Sequence, residues 1–367
     1  MADNVKLGII GVGQIGKMHL DKYEDLPVEV IAAADIDEAE LERVSQQYSI
    51  PKVFTDFRQL LKIEEIQAVD VCLHNNLHAP VTIATLEAGK HVYCEKPIAG
   101  SYADGKAMVG AAERTGRMLG IQLFSLFSLD TKAARRLIDE GHLGEPYYAK
   151  SIGFRRRGRP YVDGYGTSSF VQQSIAAGGA LFDMGVYHIA QILYLLGNPE
   201  LETVSGATHQ EIPMYQDRRE NSGYDVEELG VGLVRLKGGI TFFIEESWAL
   251  HRGQPVPSSE IFGSKGGVRL SPFSYHSTIA DMEMDASFDL RSADVRWHRC
   301  LPDTDAYDGA QAHWVAALQG RVPLVDSAGV ALATMKISEG IYLSAQRSRE
   351  VTSDEIEAES RSTAVEL

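Results

Sequence analysis

An α/β domain followed by an α+β domain is the fold class this sequence predicts, on three observations. The first 125 residues alternate short, continuous apolar runs with amphipathic stretches of helical period, the pattern of a parallel sheet covered on both faces. Beyond about residue 125 the apolar runs follow one another through short glycine turns, which favours an antiparallel sheet. The length of 367 residues suits two domains, each long enough for its own core. The boundaries fall at 1–125 for the first domain and 126–350 for the second, with an acidic tail over 351–367.

In chain order, Val5–Ile10 and Val28–Ala34 read as buried strands, as do 68–73, His91–Cys94 and 118–123. Helices are expected between them near 14–25, 37–48, 56–62, 78–88 and 101–115, with Gly89 and Gly116 as stop signals. A helix over 131–140 ends at Gly141, and the strand Pro146–Phe154 leads into a Gly- and Tyr-rich loop over 158–169. A long helix starts near Asp183 and is closed by Gly197-Asn198-Pro199. Strands follow at 202–209, 227–236, 240–250 and 260–270, with hairpin chemistry in Lys237-Gly238-Gly239 and Ser264-Lys265-Gly266-Gly267. Two helices end the chain near 308–319 and 327–347, the second able to pack back on either domain.

The charged fraction of 23% and hydrophobic fraction of 44% are globular proportions, excluding disorder, collagen and coiled coil. The net charge of −16 disfavours broad phosphate contact, so no nucleic-acid partner is expected. Residues 350–367 hold six acids against one base, Arg361, and read as a solvated tail. Cys72, Cys94 and Cys300 show neither zinc-ligand spacing nor a CxxC pair, so no metal is expected. No stretch approaches the ~18 apolar residues of a membrane span, and no basic-then-apolar leader opens the chain. A soluble, cytoplasmic protein is the expectation.

Directly after the first strand stands Gly11-Val12-Gly13-Gln14-Ile15-Gly16. A lone GxGxxG is weak, but this one follows a strand and opens a helix. A second strand then ends in an acid, Asp35, 19 residues beyond Gly16. Gly11 would make the tight turn, Gly13 would admit the pyrophosphate, and Gly16 would let helix and strand pack closely. The helix start at Gln14 and Ile15 offers free N–H groups to the anion. Asp35 suits the adenosine ribose hydroxyls and would repel a 2′-phosphate, so NAD is expected over NADP. Asp37, past the strand end, reads as a helix cap.

The run Ala88-Gly89-Lys90-His91-Val92-Tyr93-Cys94-Glu95-Lys96-Pro97 places a Glu-Lys-Pro triplet at the carboxyl end of a parallel strand, where ligands of open α/β sheets sit. The Lys96 ammonium could hold a substrate hydroxyl and stabilise the oxygen as hydride leaves carbon. Pro97 would fix the turn, and proline tolerates a cis bond there. With Gly11–Gly16, the triplet, the 177–188 run and the hairpin 261–267, the sequence resembles the glucose–fructose oxidoreductase, inositol dehydrogenase and rhizopine-catabolism group (Gfo/Idh/MocA). The resemblance implies a Rossmann domain and a second domain on an open, mostly antiparallel sheet. It also implies homodimers or homotetramers formed through that sheet, and NAD(P)-dependent chemistry on a small sugar or polyol.

In that family the lysine works with an aspartate and a His or Tyr four residues later. Asp183 matches the aspartate and Tyr187 the fourth position, with His188 immediately after it. On an α-helix i and i+4 share a face, whereas i+5 is rotated by roughly 140°. Tyr187 is therefore the positional match for the acid/base group, its pKa lowered by the Lys96 charge. His188 is the rival, because its pKa suits proton transfer near neutrality. The resemblance also sets Glu95, Lys96 and Pro97 against the cofactor, and His74, Asn75, Asn76 and His78 near the nicotinamide ribose. His74-Asn75-Asn76 stands where many members have Thr-Pro-Asn. After Gln122, a substrate contact, Leu123-Phe124-Ser125-Leu126 is more apolar than the usual Asn-Tyr-Arg-Phe.

Arg155-Arg156-Arg157 ends a strand leading toward the cleft, and alternation sends Arg155 and Arg157 to one face. That face could bind hydroxyls or an anionic group; solvated arginines are the alternative. Tyr165 lies in a following loop of lid type. His313-Trp314 either borders the sugar or packs in the core. The expected activity is NAD-dependent oxidation or reduction of a ring hydroxyl of a sugar, glycoside or cyclitol. Two alternatives share the fold: an NAD-dependent glycoside hydrolase working by transient oxidation and elimination, and a non-catalytic sugar- or NAD-sensing regulator.

Overall fold

The protein is described here by a computed structural model covering residues 4–253 and 258–367. The first half alternates strand and helix: β1 (Val5–Ile10), α1 (Gln14–Tyr23), β2 (Val28–Ala34), α2 (Glu38–Tyr48), β3 (Val53–Phe54), α3 (Phe57–Leu61), β4 (Ala68–Val71), α4 (Asn75–Glu87), β5 (His91–Cys94), α5 (Tyr102–Thr115) and β6 (Leu119–Ile121). All six strands are parallel, in the order β3-β2-β1-β4-β5-β6. The order reverses between β1 and β4, which opens a crevice at their carboxyl ends. β4 is buried along its whole length between two helical layers, and carries one charged residue, Asp70, inside it. Asp37 caps α2 by accepting from the N–H groups of Ala39 and Glu40, as expected. The two-residue β3 was not expected; it is too short to leave a periodic signal.

The second half contains α6 (Leu129–Asp139), β7 (Pro146–Phe154), α7 (Gln173–Ala176), α8 (Val186–Leu195), β8 (Leu201–His209), α9 (Gln216–Ser222), β9 (Leu229–Leu236), β10 (Ile240–Ser247), β11 (Glu260–Gly263), β12 (Gly266–Arg269), β13 (Ser274–Ile279), β14 (Met282–Ser287), α10 (Leu290–Cys300), α11 (Ala310–Leu318), α12 (Ser327–Arg347), β15 (Val351–Thr352) and α13 (Ser353–Glu359). Its nine strands run β14-β13-β12-β11-β7-β10-β9-β8-β15. Only β7 and β10 pair in parallel, and the glycine turns close the hairpins β9–β10 and β11–β12. Buried and unburied residues alternate along β9, because one face of the sheet packs on α8 and α12 while the other is open. β13, β14 and α10 fall where the sequence suggested no element. α10 buries no residue, so it carries no apolar stripe to read.

α12 packs on both halves. It lies along β8 and α8 and also against α5 and β6, with Ser327 Oγ accepting from Ile121 N at 2.9 Å.

Residues 351–367 are not the free acidic tail expected. Val351 and Thr352 pair with β8, Thr352 and Glu355 form a capping box, and Ile356 is buried. The acids find bases on neighbouring elements: Arg347 donates to Glu355 at 2.8 Å, and Lys106 and Lys336 to Glu357 at 2.8 and 2.6 Å. Thr363 N then donates to Asp104 at 2.8 Å, and Val365 N to the Asn76 carbonyl at 3.2 Å. Counting charge along the segment missed the two apolar anchors, Val351 and Ile356, that hold it down.

Candidate active site

A cleft of about 2590 Å³ runs from the carboxyl ends of β1, β2 and β4 to the end of β7 and the start of α8. At the nucleotide end, Gly11 has φ +92°, and a Cβ on Gly16 would stand 2.1 Å from the Gly11 carbonyl oxygen. A Cβ on Gly13 would meet nothing within 4 Å, so the turn is open on the cleft side. α1 starts there without a side-chain cap, leaving its first N–H groups, near Gln14 and Ile15, to a ligand. Asp35 is held at the end of β2 by Val12 N at 2.8 Å and Asp37 N at 3.1 Å, and lines the cleft. These features fit a dinucleotide: an anion cradle, a close backbone approach and a carboxylate at the ribose end.

His74 precedes α4 and faces the cleft, as does Asn75, whose amide donates to the Ala176 carbonyl at 2.7 Å. Asn76 and His78 do not line the cleft, contrary to expectation. His78 is buried between the carbonyls of Pro97 at 2.8 Å and Leu73 at 3.0 Å, where it braces two turns. Beyond Asn75, α4 presents Leu77 and Val81 to the cleft, while Asn76 and His78 lie on its other sides.

Lys96 stands at the middle of the cleft, one residue before a cis-proline. Its Nζ donates to Asp183 Oδ1 and to the Asp183 carbonyl, both at 3.0 Å, and lies 4.9 Å from the centre of the Tyr187 ring. Burial is the largest influence and opposes the ammonium, but Asp183 first, and Tyr187 and Glu95 after it, together exceed it and hold the Lys96 pKa above the ordinary lysine value. Asp183 is likewise raised by burial and lowered more by Lys96, so it stays ionised. Its Oδ2 accepts from Trp248 Nε1 at 2.9 Å and from Arg155 Nη1 at 3.4 Å.

Asp183 lies in a π turn, Leu181–Gly185, that runs straight into α8. Glu227 starts this turn by accepting from Gly179 N at 2.8 Å and Leu181 N at 2.9 Å. With i→i+5 bonding the chain rotates less per residue than in an α-helix, so the fifth residue comes back toward the first. Tyr187 and His188 therefore both line the cleft. Burial pushes the Tyr187 hydroxyl up to about 12 against the pull of Lys96, so the expected lowering does not occur. His188 Nδ1 is 2.9 Å from Glu246 Oε2, a fully buried carboxylate that also accepts from Ser151 at 2.8 Å. Burial lowers the His188 pKa, Glu246 raises it more, and the net shift is upward.

Arg155, Tyr165 and Gln122 line the cleft; Arg157 does not. β7 ends at Phe154, so strand alternation no longer governs the arginines. Arg157 turns to the Pro213 carbonyl at 3.2 Å, while Arg155 reaches back over Asp183 and donates to the Tyr165 hydroxyl. The Gln122 amide oxygen accepts from Tyr93. His313 and Trp314 belong to the core: the indole stacks on Tyr93 with centroids 5.5 Å apart, and His313 bonds the backbone of Ala306 and Val325.

Two family models match the chain: the Oxidoreductase family, NAD-binding Rossmann fold, over residues 5–123, and the GFO/IDH/MocA C-terminal domain over 131–269. The chain belongs to the GFO/IDH/MocA oxidoreductase family. It is 30% identical to D-glucoside 3-dehydrogenase of Escherichia coli over 278 residues, 73% of this chain and 77% of that one. It is 25% identical to myo-inositol 2-dehydrogenase of Thermotoga maritima over 265 residues, 72% and 74% of the two chains. The fold superposes on levoglucosan dehydrogenase in complex with NADH and levoglucosan with a TM-score of 0.77, at 22% identity, covering 95% of this chain and 99% of that one. These relatives are named as dehydrogenases of a glucoside, an inositol and levoglucosan, the last in complex with NADH, and this chain is an NAD(P)-dependent oxidoreductase acting on a small molecule. No helix among the described residues is long and apolar enough to cross a membrane.

Within this GFO/IDH/MocA site, several residues went unread in the sequence. Glu246 and Trp248 sit in and just beyond β10, and only the doubled acid Glu245-Glu246 inside an apolar strand hinted at a buried charge. Phe124, 56% exposed and packed on Tyr187 with centroids 4.4 Å apart, lines the cleft where the apolar departure had been noted. Arg159 is wholly buried and ion-paired with Asp163 and Glu228, both at 2.8 Å, which anchors the Tyr165 loop. His19, three residues after Gly16, is buried against Asp70 and Glu95.

Proposed function

We propose that this protein is an NAD-dependent dehydrogenase oxidising a ring hydroxyl of a sugar, glycoside or cyclitol. The single observation carrying the reading is the Lys96–Asp183 pair, which spans the cleft between the end of β5 and the second domain. NAD, bound over Gly11–Gly16 with its ribose on Asp35, supplies the hydride acceptor. The Asp35 carboxylate disfavours a 2′-phosphate, which is why NAD rather than NADP is proposed. Lys96 donates a hydrogen bond to the reacting oxygen and stabilises its negative charge as the C–H bond breaks. Asp183 keeps that ammonium charged and aimed.

The hydroxyl proton passes to His188 Nε2, with Glu246 holding Nδ1 and thus the tautomer. Tyr187, neutral at physiological pH, donates to the substrate rather than taking its proton. Arg155, Tyr165 and Gln122 bind the remaining hydroxyls. The open face of the second sheet, with exposed Leu233 and the stacked pair Tyr148–Phe262, suits a homodimer or homotetramer contact.

The test follows reduced-cofactor absorbance over a panel of sugars, glycosides and inositols, with NAD and NADP in parallel. NADH accumulation with at least one substrate is the expected result. Sugar release from a glycoside without net NADH would replace the dehydrogenase with a redox-neutral hydrolase. Silence across the panel with intact NADH binding would leave a sensing protein.

A further inference from the structure

His19 lines the floor of the cleft but carries no step of the proposed reaction. It lies on α1, the helix whose start faces the dinucleotide, and is 3% exposed. Its Nδ1 is 2.8 Å from Asp70 Oδ2 on β4, and its Nε2 is 2.8 Å from Glu95 Oε1, the residue before Lys96. Ionised carboxylates only accept, so with Asp70 and Glu95 ionised both contacts are hydrogen bonds only when the ring is an imidazolium. The remaining neighbours agree. Tyr23 donates to Asp70 at 2.7 Å, Cys72 Sγ lies 3.4 Å from both Asp70 Oδ1 and His19 Nδ1, and the Tyr93 ring is 6.0 Å away, so none of them supplies a second cation. Burial is the largest influence and opposes the charge, Asp70 and Cys72 together exceed it, and the His19 pKa lies well above its ordinary value.

The second oxygen of Glu95 accepts from the Lys96 backbone N–H at 3.0 Å. A chain of alternating sign thus runs from the floor of the nucleotide domain to the substrate: Asp70, His19, Glu95, Lys96, Asp183, Arg155. Three negative and three positive groups balance, and each buried charge has an opposite neighbour. Removing one link leaves a buried carboxylate uncompensated, and such a group takes up a proton.

Taking the dehydrogenase reading of the site as its basis, we propose that His19 is a positioning residue. Its imidazolium fixes Glu95, and Glu95 fixes the backbone from which the Lys96 ammonium reaches the reacting oxygen. The helix that seats the dinucleotide therefore also sets the aim of the catalytic amine.

The test is carried out on the full chain with His19→Gln, Glu95→Gln and the double variant. For His19→Gln, kcat at pH 7 is expected to fall about tenfold or more. The substrate KM and the NADH Kd, read by fluorescence, are expected to stay within about threefold. Its pH profile gains an acid limb, activity recovering as rising pH re-ionises Glu95. The double variant is no slower than the slower single one, because both break the same link. An unchanged kcat and pH profile with only a lowered Tm would reduce His19 to a packing role and overturn the proposal. Equal losses in kcat and NADH affinity would overturn it too, by making His19 part of the cofactor seat. Ring-carbon NMR of the wild-type chain needs no substrate: a His19 imidazolium persisting above pH 8 supports the chain of charges, and a ring neutral at pH 7 overturns it. That measurement decides the matter even if the sugar panel is silent and the dehydrogenase reading falls.

Discussion

The nucleotide wall of the cleft is shaped by backbone: a left-handed turn at Gly11, an unfilled space at Gly13 and the uncapped start of α1, all within six residues. The opposite wall is shaped by side chains from distant segments: Arg155 beyond β7, Asp183 and His188 around the π turn, Glu246 and Trp248 on and after β10. A backbone site needs only the right small residues in a row. A side-chain site needs every supporting contact in place, including a glycine at 153, where a Cβ would stand 1.9 Å from Glu246 Oε2 and 2.3 Å from His188 Nδ1.

Variants can break this contrast cleanly. The largest effect is expected for Lys96→Met, which removes the ammonium and should cut turnover about 10²–10³-fold while NADH binding, measured by fluorescence, stays within a few-fold. Gly16→Val should do the reverse. Its branched side chain collides with the Gly11 carbonyl, and NADH affinity should fall about 10–100-fold by the same titration. Were Lys96→Met to lose cofactor as badly, the two walls would not be separable.

Glu246→Gln sharpens the far wall. Glu246 raises the His188 pKa, so its removal should move the corresponding limb of the kcat/KM profile to lower pH, with kcat down about tenfold. A limb that stays in place would return the acid/base role to Tyr187. On the near wall, Asp35→Ala should shift the NAD over NADP preference by roughly tenfold, read as a ratio of kcat/KM values.

The smallest effect concerns the terminal segment. Glu355 and Glu357 are held down to about 2, Glu355 chiefly by its bond to Arg349 and Glu357 chiefly by its bond to Lys106. The stabilisation they give is complete above the unfolded carboxylate pKa of about 4.3 and is lost as pH falls toward 2. Amide exchange along α13 should therefore quicken in that window, before the core strands respond.

The same contrast explains what could be read from sequence. β1, β2, β5, β7 and α12 have the limits expected, because continuous apolar runs and glycine stops are local signals. The places of the glycine turn, Asp35 and Lys96 on the cleft were legible for the same reason: each stands in a local motif at the end of a strand. His78 and Arg157 misled because a motif's residues are not all on one side of their element. His19 and Glu246 escaped because a single histidine in a helix and a single acid in a strand look like surface until a partner from far along the chain arrives. β13, β14 and α10 bury too little to register at all.

One rod of 21 residues, α12, buttresses both sheets. At about 1.5 Å per residue it is about 30 Å long, roughly the width of a small domain. Any rotation that opens or shuts the cleft has to carry this strut or slide one sheet along it. The mouth is consequently set like a jaw on a fixed hinge pin, and selectivity among hydroxyls falls to the teeth rather than to the bite.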